Sequence, residues 1–300
     1  MTNNNTNTAA SAYVKAAVSA IFLSTSVQRA NNTDTTPSQV RDTKAYIKNN
    51  VKRWMGVGYA ANDDEDIRSE IAHYFNCGDQ TDAIDFWGYN IYEWCGENTF
   101  VGSGYAEQVK FFSDYSVPVF FAEYGCNIPD GAAGRIWEET TALYSSNMTG
   151  VISGGIVYMY FQEDNDYGLV QVSDGDASTM KDYGALKTKI AAASPSSTSK
   201  DAYTPTNTPA ACPSTGSNWA VKGGALPPTP DKELCDCMFK TLECVPAKNL
   251  NESDYKTIFD DICGLDNSAC AGISRDTESG KYGEYSMCEA KSQLGYVLNG

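Results

Sequence analysis

The sequence predicts an α/β protein: half of an eight-fold (β/α)8 barrel, followed by a small cysteine-rich domain. Three observations carry this expectation. Four strand-like runs are each followed by a stretch of helix formers. The runs are mostly apolar, the mark of a parallel sheet covered by helices. A Ser/Thr/Pro tract then separates this region from a segment dense in cysteine.

Residues 9–18 (AASAYVKAAV) and Arg41–Asn50 (RDTKAYIKNN) are rich in strong helix formers. The stretch between them, SAIFLSTSVQRANNTDTTPSQ, has no helical period and ends in polar turn residues, whereas joining the flanks gives one continuous amphipathic helix. Val18-Ser19 can be encoded GTAAGT and Gln39 as CAG, typical intron donor and acceptor signals, in frame. The expectation is a retained intron over residues 18–39, with a natural surface loop as the alternative; the transcript sequence across this junction decides between them.

Strand signals follow at Arg53–Ala61, Ile84–Trp94, Val117–Glu123 and Gly155–Phe161. Helices are expected from the acidic start Asn62-Asp-Asp-Glu-Asp to Tyr74, and around Tyr105–Ser113, Gly134–Asn147 and Met180–Ala192. The third run, PVFFAEYGCN (Pro118–Asn127), delivers one carboxylate, Glu123, into an aromatic, glycine-bounded turn. A strand that presents an acid to a loop is how barrel enzymes build catalytic sites; a solvated glutamate at a strand edge is the other reading of the same stretch. The boundaries are therefore a partial barrel over 1–193, a linker over 194–213 and a cysteine-rich domain over 214–300.

Composition narrows the function. A formal charge of −16 argues against nucleic acid and anionic membrane as partners, since both recruit clustered Lys and Arg. Nineteen Tyr and five Trp suit sugar-stacking surfaces as well as an aromatic core. Of ten cysteines, seven fall between Cys212 and Cys288, which reads as a disulfide framework and hence secretion. Clustered cysteines can also bind zinc, but Cys235-Asp-Cys237 with wide, irregular spacings and no nearby histidine does not form paired CxxC knuckles, so no metal is expected. Sequons at Asn4, Asn31, Asn147 and Asn251 are compatible with a secretory route. Met1-Thr-Asn-Asn-Asn-Thr lacks the charged and apolar regions of a leader, so the true N-terminus is expected to lie upstream. No run approaches the roughly 20 apolar residues of a membrane span.

The side-chain inventory excludes much chemistry. His73 is the single histidine and sits in the helical stretch SEIAHYF, where packing or exposure is its expected role, so Ser-His-Asp and Cys-His schemes lack a base. There is no P-loop or GxGxxG turn, and no cofactor is implied. Carboxylates and tyrosines remain, the equipment of glycoside chemistry.

NIYEWCG (Asn90–Gly96), VPVFFAEYGCN (Val117–Asn127) and SGGIVYMYFQEDNDYGLV (Ser153–Val170), in this order, closely resemble the fungal 1,3-β-glucanosyltransferases of glycoside hydrolase family 72. The tail resembles their cysteine-rich carbohydrate-binding module, family 43, in Cys235-Asp-Cys237, Ile262-Cys-Gly264, Cys270-Ala-Gly-Ile273 and Tyr282-Gly-Glu-Tyr-Ser-Met-Cys288. The resemblance implies the C-terminal half of a TIM (β/α)8 barrel followed by a small disulfide-rich α+β carbohydrate-binding module. It implies a retaining enzyme that cleaves an internal β-1,3-glucan bond and passes the new end to another glucan chain, extracellular, at the cell surface and wall, and held by a GPI anchor. The partner is β-1,3-glucan, and the protein is expected to be a monomer.

By this resemblance Glu123 matches the nucleophile, at the end of the seventh barrel strand. Tyr92 matches a substrate-contacting tyrosine of the sixth strand and Tyr158 one of the eighth, with packing as an equal alternative for Tyr158. The implied disulfides are Cys95–Cys126, Cys77–Cys212, Cys235–Cys288 and Cys263–Cys270, with partners of Cys237 and Cys244 beyond Gly300. The family's acid/base glutamate lies in an Asn-Glu motif before a polar stretch like Thr2–Thr8, which here falls before Met1. Glu93 is the nearest substitute by sequence, but alternation points it away from Tyr92. The chain as written is therefore expected to lack transfer activity and, as half a barrel with open strand edges, to fold poorly. A non-catalytic β-1,3-glucan-binding or structural cell-wall protein is the alternative.

Overall fold

The structure, a computed structural model, describes residues 22–23, 35–196, 198–199 and 202–300. The helix expected over 9–18 and the sequons Asn4 and Asn31 lie outside the described residues. Of the 18–39 segment, only Phe22–Leu23 (strand β1) and the first turns of helix α1 (Thr35–Asn50) are described. That helix begins ahead of the expected Arg41. The chain divides into two compact units, one holding Phe22–Leu23 and Thr43–Ala211 and the other Thr35–Asp42 and Cys212–Gly300.

The first unit is built on a parallel five-stranded sheet in the order β1-β2-β3-β4-β5, with β2 at Gly58–Asn62, β3 at Phe86–Asn90, β4 at Val119–Tyr124 and β5 at Ile152–Val157. Sequential order in a parallel sheet requires a crossover between each pair of strands. Helices α2 (Arg68–Asn76) and α3 (Tyr105–Phe112) supply two of them. One face of the sheet packs on these helices: Tyr59 stacks on Phe75 at 4.2 Å, Tyr89 meets Phe112 at 5.7 Å and Phe121 meets Tyr105 at 5.2 Å. The other face carries Phe86, Phe120 and Ala122. His73 stacks on Phe111 and Tyr115, and burial lowers its pKa.

The crossover after β4 departs from expectation. The helix predicted over Gly134–Asn147 is broken into a 3₁₀ turn at Ala132–Gly134 and helix α4 at Glu138–Leu143. Between them Arg135 is extended and Trp137 has φ 61°, and both side chains are buried. Tertiary packing of these two residues has overridden local helix propensity. A hairpin of β6 (Val170–Ser173) and β7 (Asp176–Thr179) is a further addition. Asp174 and Gly175 both have positive φ, as the tight turn of a two-residue hairpin demands. Helix α5 (Lys181–Ala192) completes this unit.

The second unit contains helices α6 (Lys232–Lys240), α7 (Tyr255–Leu265) and α8 (Ala290–Val297), with a small hairpin of β8 (Arg275–Asp276) and β9 (Lys281–Tyr282). Asp231 caps α6 by accepting from Leu234 N–H at 3.0 Å. The Cys235–Cys288 disulfide sits in a core with Met238, packed by Leu242, Tyr285, Met287 and Tyr296. Cys263–Cys270 closes the end of α7. So small a core depends on such cross-links.

Candidate active site

The site forms at the C-terminal ends of β3, β4 and β5, the end where a parallel sheet leaves its loops free to carry chemistry. Residue parity along β3 assigns faces. Trp87 and Tyr89 share the helix-covered side, while Phe86, Gly88 and Asn90 share the other; beyond the strand, Glu93 reaches Arg68 of α2 and Gln108 of α3 on the helix side. On β4 the same alternation would place Glu123 with Phe121, on the helix side. The register prevents this: Tyr89 pairs with Phe121, but Asn90 pairs with Glu123, so Ala122 is the extra residue of a bulge. Past the bulge the faces exchange. Tyr124 turns to the helix side, where its hydroxyl lies 3.0 Å from Thr140 Oγ1, and Glu123 turns toward Tyr92.

Tyr92 donates its phenolic O–H to Glu123 Oε2 at 2.9 Å. Burial, reinforced by the Glu123 carboxylate, raises the Tyr92 pKa far above its ordinary value and keeps this donor protonated. Tyr158, just beyond β5, and Tyr167 join Tyr92 in a three-ring cluster, with centroids 6.3 Å (Tyr92–Tyr158), 5.7 Å (Tyr92–Tyr167) and 5.4 Å (Tyr158–Tyr167) apart, all edge-to-face. The Cys95–Cys126 disulfide ties the two loops together, each cysteine three residues beyond one member of the Tyr92–Glu123 pair.

The Tyr158–Leu169 loop is closed on itself by Met159 N–H to Tyr167 O at 2.9 Å and Leu169 N–H to Met159 O at 3.0 Å. Asn127 donates to Asp166 O at 2.7 Å, and Asp166 accepts from Gln162 Nε2 at 2.6 Å. Under the site, the buried Arg135 forms an ion pair with Asp182 at 2.6 Å.

Glu93 lies elsewhere. Its Oε1 accepts from Arg68 Nη2 at 3.2 Å and Gln108 Nε2 at 3.3 Å, while Arg68 grips Asp63 through two bonds of 2.7 Å. Tyr89 also donates to Asp63. Burial, then the neighbouring Asp63, pushes the Glu93 carboxyl up to about 7. Its bonds run to the helix side, away from the Tyr92–Glu123 pair. Among the described residues no group of three or more His, Cys, Asp or Glu side chains is placed to hold a metal ion.

Glu123, Tyr92 and Tyr158 are thus gathered at one place with the Cys95–Cys126 bridge. Cys77 and Cys212 are each disulfide-bonded, and Cys237 and Cys244 are free and exposed. Sequence reasoning did not single out Tyr167 or Arg135. Tyr167 lay within a quoted motif, and Arg135 stood in a stretch read as ordinary helix.

A glucanosyltransferase family model matches residues 24–194. The chain belongs to glycoside hydrolase family 72. An X8 domain model matches residues 242–300. The chain is 47% identical over 302 residues to a 1,3-β-glucanosyltransferase of Arthroderma benhamiae, covering 100% of this chain and 50% of that protein. It is 42% identical over 298 residues to the 1,3-β-glucanosyltransferase gas1 of Schizosaccharomyces pombe, covering 99% and 50%. Among solved structures it resembles a mutant of Saccharomyces cerevisiae Gas2p in complex with laminaritetraose and laminaripentaose, with a TM-score of 0.76 at 33% identity, covering 98% of this chain and 60% of that one. The chain spans about half the length of the curated relatives it matches. Its fold is that of the C-terminal half of a TIM (β/α)8 barrel followed by the small disulfide-rich module of this family.

Proposed function

We propose that the whole protein is a retaining 1,3-β-glucanosyltransferase with Glu123 as its nucleophile. The observation that carries this reading is the 2.9 Å hydrogen bond from Tyr92 to Glu123 Oε2 inside a cluster of three tyrosines at strand ends. A Glu123 carboxylate oxygen attacks the anomeric carbon of a β-1,3-linked glucose. The glycosidic C–O bond breaks, and its oxygen takes a proton from a second carboxyl group, a role assigned to no residue of this chain. A hydroxyl of another glucan chain then displaces Glu123, giving its proton back to the second carboxyl group, and the β linkage and the free Glu123 carboxylate are restored. Tyr92 holds one carboxylate oxygen in place and stabilises its charge, leaving the other to attack. Tyr158 and Tyr167 offer ring faces and hydroxyls to the sugar.

The family and Gas2p, which was solved with laminari-oligosaccharides, support β-1,3-glucan as the substrate class. A location at the fungal cell surface and wall is part of the same reading, and the disulfides support it. Attachment through a GPI anchor and a monomeric state belong to the same proposal, as does the retained-intron reading of residues 18–39.

Glu123→Gln in the whole protein tests the assignment. Transfer between β-1,3-glucan oligosaccharides should fall by a factor on the order of 10³ or more, with oligosaccharide binding kept, because only the nucleophile is removed. Turnover near that of the wild type would exclude Glu123 as the nucleophile. Binding without turnover in the wild type would favour a glucan-binding wall protein instead.

A further inference from the structure

We propose that Arg135 is a positioning residue for the sugar-binding tyrosines: its guanidinium extends the β4–β5 ladder and holds Tyr158 and Tyr167 against Tyr92. The inference rests on reading Glu123 and these tyrosines as a glucan site. The last backbone rung recorded between the two strands is Tyr158 N–H to Tyr124 O at 2.9 Å. Beyond it, Arg135 Nη1 donates to Gly125 O at 3.3 Å and Tyr158 O at 2.9 Å, so one nitrogen bridges the next carbonyl of each chain. Arg135 Nη2 donates to Tyr167 O at 2.7 Å and Gly168 O at 3.2 Å. The carbonyls it holds therefore belong to both tyrosines of the wall and to the turn two residues after Glu123.

The anchor is itself fixed. Nε and Nη2 both donate to Asp182 Oδ2, at 2.9 and 2.6 Å, in a pair whose side chains are 1% and 0% exposed. The Trp137 ring lies 4.4 Å from the guanidinium carbon, and its indole N–H donates to Asp182 O at 3.0 Å. A planar fork with five donors can serve three chain segments at once. A lysine ammonium, a single point with three donors, keeps the charge opposite Asp182 but cannot span them. Arg135→Lys thus separates the ion pair from the bridging.

The test compares Arg135→Lys with Met148→Ala, a core truncation in the turn before β5. Amide exchange is followed across residues 158–169, together with binding of a β-1,3-glucan pentasaccharide. In Arg135→Lys, exchange at Met159 and Leu169 should accelerate, and the dissociation constant should rise, each about tenfold, because displaced binding groups forfeit their alignment. Met148→Ala, compared at a temperature where both variants are folded, should change neither. Asp182→Asn, which leaves the four carbonyl acceptors in place, is the second variant should Arg135→Lys not fold. It should accelerate the same segment by a smaller factor. Unchanged exchange over 158–169 in Arg135→Lys, or equal acceleration in Met148→Ala, would overturn the proposal. A wild-type protein that binds no pentasaccharide would instead remove the glucan reading, while the exchange comparison would still decide whether Arg135 holds the two tyrosines.

Discussion

Replacing Glu139 by glutamine should make stability less dependent on pH. Glu139 lies on α4 and is 4% exposed. Burial pushes its carboxyl up to about 7 from an ordinary 4.5, against the smaller opposing influence of its own backbone N–H and of Arg135. A carboxyl raised in the folded state favours folding while it is protonated. That contribution is complete below the unfolded value and is lost as pH rises through the folded one. At about 1.4 kcal/mol per pH unit, the gap between 4.5 and about 7 corresponds to ~3 kcal/mol. This is an upper figure, because a buried carboxylate draws in water and neighbouring dipoles. Glutamine fills nearly the same volume without ionising. Denaturant midpoints of both chains at pH 4 and pH 8 provide the assay. All other ionisable groups are common to the two chains, so their titration cancels in the difference. The variant should gain roughly 1–3 kcal/mol relative to wild type between the two pH values. A difference independent of pH, or one that shrinks as pH rises, would refute the reasoning.

Two further outcomes follow from the geometry around Glu123. Gly125 has φ 120°, and a Cβ there would stand 2.8 Å from the Trp137 ring and 3.3 Å from Arg135 Nη1. Gly125→Ala should therefore cost about 2–3 kcal/mol, read as a lowered denaturation midpoint, through backbone strain and overpacking together. The Cys95–Cys126 bridge spans a separation of 31 residues, a closure worth about 3–4 kcal/mol of unfolded-chain entropy. The double variant Cys95→Ser, Cys126→Ser should lose up to that amount in chemical denaturation, with faster amide exchange near Tyr92 and Glu123; unchanged exchange there would show that the strands alone hold the pair.

What was legible in the sequence follows from the range of the interactions involved. Four parallel strands could be read because each is an apolar run with a helical pattern behind it, signals complete within a dozen residues, although the fourth runs over Ile152–Val157 rather than the expected Gly155–Phe161. PVFFAEYGCN could be read for the same reason. The break at Arg135–Trp137 was not, because most of the partners that make it are distant in sequence: Asp182, Tyr158 and Tyr167. Local residues alone favour a helix through that point. The β6–β7 hairpin had a visible signal in Ser173-Asp174-Gly175-Asp176, but its strand residues lie in a polar setting that offers no apolar run. Tyr167 carries no mark of its own. It becomes a site residue only through the loop closure that returns it to Tyr92.

The bulge at Ala122 shows how little separates a structural acid from a catalytic one. Glu93 and Glu123 both sit at the C-terminal ends of adjacent apolar strands, one residue after Tyr92 and Ala122 respectively. Strict alternation would send both to the helix side. Glu93 obeys it and is taken up by Arg68 and Gln108, in surroundings that raise its pKa toward neutrality. Glu123 escapes because one unpaired residue exchanges the faces of β4 beyond Phe121. The exchange has a cost that the structure meets locally. Tyr124 is forced onto the helix side as well, and it is accepted there by Trp137 at 6.1 Å and by the Thr140 hydroxyl. The same Trp137 packs on the guanidinium that bridges the strand ends. The residue displaced by the bulge and the residue that steadies the tyrosines thus share one packing partner, Trp137, which stands with φ 61° just ahead of the helix that begins at Glu138.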